Sequence, residues 1–409
     1  MEDGFRIERY RSSDRDLVFE LMRASFPHAV ADRMIEQWDW KYDSNPFNAE
    51  AKRERVVNRR GIAPFIRSVA NAEDLAYLER CDAQGSPFRD SDPYCLLIRN
   101  DHAVAGLVAA IPQLYMIGGV EHWVGVTSDF AVHPGYRRNH LSARLVQTIK
   151  ADIALRVSWP NDLGRRAVAS VNRTIRGYAS DPKVAWVAVE KRIPILVKPI
   201  DWRAVANHAS RNLLVKRAAE LLGPGIDGLR EKLMAPAPAR GVAIHQVSSF
   251  DDRIDKFWEK ARKYYPVMSV RNRRHLTWRF VARPDTSYTK LIAVEGSDLV
   301  GYMVCRTAER DGMRYGYIVD FLTDDESPHL LALLLNAAER RMVGDGAKVI
   351  CIIAPRNYRL WRQGYFPGPP ATRPTFGVRL GTADPILRIF TDMQQWFLTM
   401  AEGDLDYNL

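Results

Sequence analysis

The residues best suited to chemistry lie in the stretch VTSDFAVHPGYRRNHLSARLV, residues 126–146. It predicts a β-strand that ends at His133, an arginine-rich turn, and a helix that begins near Leu141. Such a junction points free backbone N–H groups at one spot, and the helix N-terminus adds positive potential. Arg137 and Arg138 place two guanidinium groups on the same turn. The stretch therefore predicts a pyrophosphate site, with an exposed basic turn before a surface helix as the alternative.

The elements that would position this turn occur twice in the chain. Residues 7–40 and 244–278 each start with an apolar strand and a Ser/Asp-rich turn, and each ends in a helix-period stretch with tryptophan. Residues 95–111 and 290–306 each predict strand, tight turn and strand. This order of elements predicts an internal duplication.

The match continues beyond these hairpins. The segments GVTSDFAV and GYIVDFLT share an Asp-Phe pair that begins at Asp129 and Asp320. A helix-period stretch follows each pair, and we expect the next strand at residues 165–172 in the first copy and 347–355 in the second. The second copy has three carboxylates, Asp324, Asp325 and Glu326, where the first has its basic turn. Carboxylates repel a pyrophosphate, so only the first copy is predicted to bind one.

The 126–146 stretch resembles motif A of the GNAT-type N-acetyltransferases, V-x-P-x-[YW]-[RQ]-x-x-G-x-[GA]. Four positions fit that motif: Val132, Pro134, Tyr136 and Arg137. His140 and Ser142 stand where the family has its first glycine and its second Gly or Ala. The pattern is most similar to tandem-domain members of the enhanced-intracellular-survival type. Tandem proteins associated with bacterial surface-polysaccharide synthesis are the other near resemblance.

The resemblance and the repeat together imply an α/β (α+β) fold class with two tandem GNAT-type domains. Each domain is expected to hold a mixed, mostly antiparallel sheet flanked by helices. The predicted N-terminal domain spans residues 1–199 with an insertion at about 48–93, a helical linker spans 200–240, and a degenerate C-terminal domain spans 241–409. The basic insertion is either a lid that selects the acceptor or a surface elaboration.

The resemblance also implies a reaction, in which a substrate amine attacks the thioester of acetyl-CoA or another acyl-CoA directly. The expected acyl-CoA contacts are Val132, Arg137, Arg138, Asn139, His140, Leu141, Ser142, Ala143 and Asn172. Tyr178 is the candidate proton donor to the departing thiolate, with a buried packing aromatic as the alternative. Asp129 is the candidate base, but its counterpart Asp320 in the second copy favours a structural role equally. An inactive tandem scaffold that binds an anion or a protein is the competing function.

Composition sets broader limits on partners and location. The chain has 409 residues and a net charge of +10, which favours an anionic partner such as a nucleotide-bearing cosubstrate or a phosphate- or carboxylate-bearing acceptor amine. The basic residues are spread out, so no nucleic acid is expected. Scattered cysteines, histidines without ligand spacing, and the lack of an apolar run or leader predict a cytoplasmic enzyme without a metal or membrane span. The polar end QQWFLTMAEGDLDYNL predicts a frayed tail. The resemblance to tandem members implies the alternative, a C-terminal tail that reaches the active site of the first domain.

Overall fold

The computed structural model describes the chain at residues 4–48, 93–101, 103–137, 141–153, 155–160, 187–209, 217, 221, 225, 228, 241–323, 328–355, 358, 360–369, 373–380 and 386–402. Its strands are β1 Arg6–Arg9, β2 Cys95–Arg99, β3 Val104–Ile117, β4 Val120–Val132, β5 Leu155–Ser158, β6 Val187–Arg192, β7 Leu196–Pro199, β8 Val242–Val247, β9 Val267–Ser269, β10 Thr289–Glu295, β11 Asp298–Arg310, β12 Met313–Thr323, β13 Val349–Ile352, β14 Phe366–Pro367 and β15 Thr375–Leu380. Its α-helices are α1 Arg15–Ser25, α2 His28–Glu36, α3 Leu141–Asp152, α4 Trp202–Ala209, α5 Arg253–Ala261, α6 Arg273–Phe280 and α7 Pro328–Gly344. Within these ranges, no helix is both long enough and apolar enough to cross a membrane.

These strands form two sheets with the same internal order. The first sheet runs β1-β2-β3-β4-β5-β15-β6, and the second runs β8-β10-β11-β12-β13-β7-β14. In each sheet the fourth and fifth strands are parallel, while the other neighbours are antiparallel. Helices α1 and α3 pack on the first sheet, and α5 and α7 pack on the second. The predicted fold class, two tandem mixed sheets flanked by helices, is confirmed.

The strand in the sixth place of each sheet comes from the other half of the chain. Strand β15 pairs with β5 and β6 in the first sheet, although it lies near the C-terminal end of the sequence. Strand β7 pairs with β13 and β14 in the second sheet, although it directly follows the last strands of the first half. The short strand β9 also reaches across and pairs with β3. The two halves therefore exchange strands, and the predicted boundaries at 199 and 241 stay a prediction.

Two tryptophans mark the junction between the copies. Trp40 Nε1 donates to the Trp278 carbonyl oxygen at 2.8 Å, and Trp278 Nε1 donates to the Trp40 carbonyl oxygen at 3.1 Å. The two indole rings stack with their centroids 5.1 Å apart. Reciprocal contacts between equivalent residues are what a local twofold relation produces. The repeated tryptophan in the sequence is thus explained by packing of each copy on the other.

The strand after α3 lies earlier than the sequence pattern predicts. The helix-period stretch at 141–156 suggests a helix to its end, but α3 stops at Asp152 and β5 begins at Leu155. Strand β5 lies parallel to β4 with Val126 opposite Val157. A short apolar run is compatible with a helix or a strand, so residues 155–158 form a strand because the edge of β4 is free to pair with them. Residues 165–172, where the strand is expected, lie outside the described part of the chain.

Candidate active site

The first sheet opens beside the end of β4. The pairing of β4 with β5 ends at Thr127 opposite Ser158, but β4 continues for five more residues to Val132. On its other side the same stretch stays paired with β3, through Phe130 opposite Val108 and Val132 opposite Gly106. Among the described residues, no strand covers the edge of β4 that faces β5 beyond Thr127. That edge can offer backbone N–H and C=O groups to a ligand that carries amides.

A β-bulge lies at the point where the two strands separate. The register of β3 and β4 shifts so that Ser128 and Asp129 together face Ala109. Bulges of this kind re-aim side chains and are common beside active sites. The second sheet has a matching shift, between Val304 and Cys305, opposite Val319. Both copies therefore keep the same local distortion in their fourth strand.

Asp129 extends from this bulge into a buried polar group. Its Oδ2 accepts a hydrogen bond from the Tyr42 hydroxyl at 2.6 Å, and it lies 3.4 Å from Lys41 Nζ. Lys41 and Tyr42 belong to a π-helical turn, Asp39–Asp43, that follows α2. Burial and the neighbouring carboxylate raise the pKa of Tyr42 well above its ordinary value, so the phenol stays protonated and donates.

Asp320 in the second copy has a parallel set of partners. It accepts from the Tyr302 hydroxyl at 2.6 Å and from Thr399 Oγ1 at 2.9 Å, and it pairs with Arg271 Nη2 at 3.1 Å. Each aspartate is thus buried beside a cation and a tyrosine hydroxyl. This shared arrangement supports the structural reading of Asp129 over the general-base reading, because the second copy lacks the basic turn.

The turn after β4 is compact and well anchored. His133 Nδ1 accepts from the backbone N–H of Gly135 at 3.1 Å, and the Tyr136 ring packs edge-on against Phe5 at 5.4 Å. Arg137 is exposed, and its Nε donates to the Val132 carbonyl oxygen at 3.3 Å. The guanidinium group therefore lies beside the end of the open edge of β4.

Helix α3 begins at Leu141, four positions after Arg137 in the sequence. Leu141 is fully buried and fixes the start of the helix on the sheet, while Ser142 and Ala143 are partly exposed in its first turn. The first backbone N–H groups of a helix have no partner within the helix, so this end is suited to an anion. The structure thus brings Val132, Arg137 and residues 141–143 to one corner of the sheet. Arg138, Asn139, His140, Asn172 and Tyr178 lie outside the described residues.

The sequence patterns do not predict the contact between Trp159 and Glu402. Trp159 directly follows β5, and its indole Nε1 donates to the Glu402 carbonyl oxygen. The Glu402 carboxylate is fully buried, with its Oε1 accepting from Arg271 Nη2 at 2.6 Å and from Ser269 Oγ at 3.0 Å. Burial raises the pKa of Glu402. The segment up to Glu402 is therefore docked on the protein, whereas the sequence predicts a frayed polar tail; the later acidic residues lie outside the described part.

Comparisons with known proteins agree with this geometry. A model of the acetyltransferase (GNAT) family matches residues 64–159, a range that holds the open edge, the turn and α3 and starts inside the predicted insertion. No curated protein sequence matches the chain.

Solved structures are similar to this chain at low sequence identity. A GCN5-related N-acetyltransferase from Anabaena variabilis has 11% identity and a TM-score of 0.51, with 92% of this chain and 73% of that chain covered. An N-myristoyltransferase from Saccharomyces cerevisiae with bound myristoyl-CoA has 11% identity and a TM-score of 0.49, with coverage of 93% and 83%. A probable N-acyltransferase from Enterococcus faecalis has 12% identity and a TM-score of 0.48, with coverage of 94% and 74%. The corner at the end of β4 is thus part of a segment that matches the acetyltransferase (GNAT) family, within a fold similar to that of a GCN5-related N-acetyltransferase.

Proposed function

We propose that the protein is an acyl-CoA-dependent N-acyltransferase whose acyl-CoA site lies in the first copy. The observation that carries this proposal is the edge of β4 beyond Thr127, which no described strand covers and which ends beside the Arg137 guanidinium, with α3 starting at Leu141. CoA carries two amides in its pantetheine arm and a pyrophosphate next to that arm, in the order that this edge and this corner would bind them. The match of residues 64–159 to the acetyltransferase (GNAT) family supports the same assignment.

The proposed reaction needs little covalent chemistry from the protein. The acceptor amine loses a proton and attacks the thioester carbonyl carbon, the C–S bond breaks, and the CoA thiolate takes up a proton. We further propose that Tyr178 donates the proton to the CoA thiolate and that Asn172 contacts the acyl-CoA. Asp129 already accepts from Tyr42 and pairs with Lys41, so we propose that water takes the proton from the amine and passes it to bulk solvent.

The finer identity of the substrates is also part of the proposal. We propose acetyl-CoA as the donor, and an amine on a small molecule, sugar or peptide as the acceptor. The net charge of +10 and the basic residues of the 48–93 segment favour an acceptor that carries a phosphate or a carboxylate.

Calorimetric titration with CoA tests the site directly. Because each charge-assisted contact contributes about 1.5–3 kcal/mol, the double variant Arg137→Ala/Arg138→Ala should lose at least about tenfold in affinity. The matched control is Asp324→Asn/Asp325→Asn/Glu326→Gln, which removes charge at the equivalent turn of the second copy and should bind CoA normally. Unchanged affinity in the double arginine variant would move the site elsewhere.

A second measurement separates an enzyme from an inactive scaffold. Release of free thiol from acetyl-CoA or a longer acyl-CoA, in the presence of a panel of amines, reports turnover. The observation that favours a scaffold is His140, which stands where the resemblance expects a glycine close to the phosphates. Tight CoA binding with no thiol release across the panel would support the scaffold.

A further inference from the structure

A turn on the second copy holds two large aromatic side chains in solvent. Trp361 is 55% exposed and Phe366 is 47% exposed. Three aromatic side chains are exposed in the part of the chain that the structure describes, and these two lie only five residues apart. We call residues 360–367 the Trp361 turn.

The exposure of both rings follows from a well-anchored turn. Leu360 and Tyr365 point inward and are almost fully buried, and the Tyr365 hydroxyl donates to Glu339 Oε1 at 2.8 Å. The backbone N–H of Tyr365 donates to the Leu360 carbonyl at 3.2 Å, and Gly364 has a φ of +81°, which few other residues adopt. Trp361 and Phe366 are thus held outward by the packing of their neighbours.

The apolar surface continues onto the edge of the second sheet. Phe366 belongs to the edge strand β14 and pairs with Val197, so both side chains lie on the same face. Val197 is itself only partly buried. The edge therefore adds an aliphatic side chain beside the two aromatic ones.

The one charged residue within the Trp361 turn is Arg362. The flanking sequence from Pro355 to Ala383 contains no Asp or Glu, and of its other arginines Arg379 is buried on β15, where it pairs with Glu190. Arg362 is exposed, and its guanidinium carbon lies 5.3 Å from the centre of the Trp361 ring. An aromatic ring beside an arginine matches the boundary between lipid headgroups and acyl chains, where indole rings and guanidinium groups both gather.

We propose that the Trp361 turn docks the protein on the surface of an anionic lipid bilayer. Trp361 and Phe366 enter the headgroup region, and Arg362 contacts the lipid phosphates. A protein partner fits less well, because a stable protein interface takes roughly 20–30 residues a side and this turn offers two aromatic anchors. The docking is independent of acyl transfer, since the turn lies on the second copy.

Vesicle sedimentation with the full-length protein tests this surface. We expect binding to vesicles of phosphatidylglycerol and phosphatidylcholine, and little binding to phosphatidylcholine alone. Trp361→Ala/Phe366→Ala should lower the partition coefficient at least tenfold, and Arg362→Ala should lower it about fivefold. Tyr264→Ala is the matched control, because it removes an exposed aromatic ring outside the turn and should bind as well as the wild type.

A spectroscopic readout places the ring itself in the bilayer. Brominated lipid should quench part of the tryptophan fluorescence of the wild type, and Trp361→Phe should remove that quenching while sedimentation persists. Three results would overturn the proposal: no binding to the anionic vesicles, equal binding by all variants, or a change only in self-association by analytical ultracentrifugation without lipid.

Discussion

Asp129 and Asp320, the aspartates of the repeated Asp-Phe pair, have similar environments in the two copies. Both carboxylates are almost fully buried, and each accepts from a tyrosine hydroxyl at 2.6 Å. The partner cations differ, since Asp129 pairs with Lys41 and Asp320 pairs with Arg271. A buried charge is tolerated only with such partners, so we assign the pair to holding the bulge of the fourth strand in place.

The substitution Asp129→Asn should therefore reduce stability more than it reduces turnover. It removes the carboxylate that pairs with the buried Lys41 ammonium and accepts from Tyr42, which we expect to lower the free energy of unfolding by about 3 kcal/mol in urea titrations. Asp101→Asn is the control, because this carboxylate is 80% exposed and pairs with Arg6 at the surface. Loss of such a surface ion pair should lower the free energy of unfolding by less than about 1 kcal/mol. A variant as stable as the wild type but with turnover reduced a hundredfold would make Asp129 the base.

At the scale of elements, two equivalent glycines set how closely the fourth strand and its helix approach. A Cβ added at Gly125 would lie 2.9 Å from Cγ2 of Ile153, just after α3. One added at Gly316 would lie 2.8 Å from Sδ of Met342, on α7. Isoleucine is stiff because it branches at Cβ, whereas methionine can move its sulfur aside. The shortest contact is thus with a stiff side chain in the first copy and with a flexible one in the second, where Ile350 Cγ1 at 3.2 Å and Met342 Cβ at 3.3 Å are the next contacts.

Gly125→Ala should accordingly cost more than Gly316→Ala. We expect about 1–3 kcal/mol of overpacking for Gly125→Ala, because Ile153 must shift and carry the end of α3 with it. That shift should also weaken CoA binding, since α3 supplies the proposed pyrophosphate site. Urea titration and calorimetry on both variants check this, and equal effects in the two copies would show that the helices adjust with similar ease.

The strand exchange dominates at the scale of the whole molecule. Strand β15 completes the first sheet and β7 completes the second, so each half of the chain supplies a strand that the other lacks. The buried Arg271 adds a further link, because it binds Asp320 of the second sheet and Glu402 of the C-terminal segment. The Glu402 carbonyl in turn accepts from Trp159 of the first copy. Copy two therefore completes the first copy whether or not it binds any ligand.

The fragments 1–199 and 241–409 should therefore fail to fold when expressed singly. Each loses the strand in the sixth place of its sheet and exposes two unpaired strand edges. Coexpression should yield a 1:1 complex with dispersed amide signals in NMR spectra, because both missing strands are then restored. As a control, fragment 1–199 with residues 373–402 fused to its end should recover part of its fold. A well-dispersed spectrum for unfused 1–199 alone would contradict the prediction.

The sequence by itself determined the duplication and its local elements. Hairpins such as β2–β3 and β10–β11, helix α7, and the Asp-Phe pairs follow from short-range periodicity and turn residues, which act within a few positions of the chain. The corner formed by Val132, Arg137 and residues 141–143 follows likewise, because the strand, turn and helix are consecutive.

Only the tertiary structure decided which strands become neighbours. Backbone hydrogen bonds are the same for every strand, so sequence does not reveal that β15 rather than a nearer segment completes the first sheet. The position of β5 depended on the free edge of β4, and the burial of Glu402 depended on Arg271 from a distant part of the chain. These features depend on partners that are distant in the sequence. The residue pattern of one segment does not identify the surface against which that segment packs.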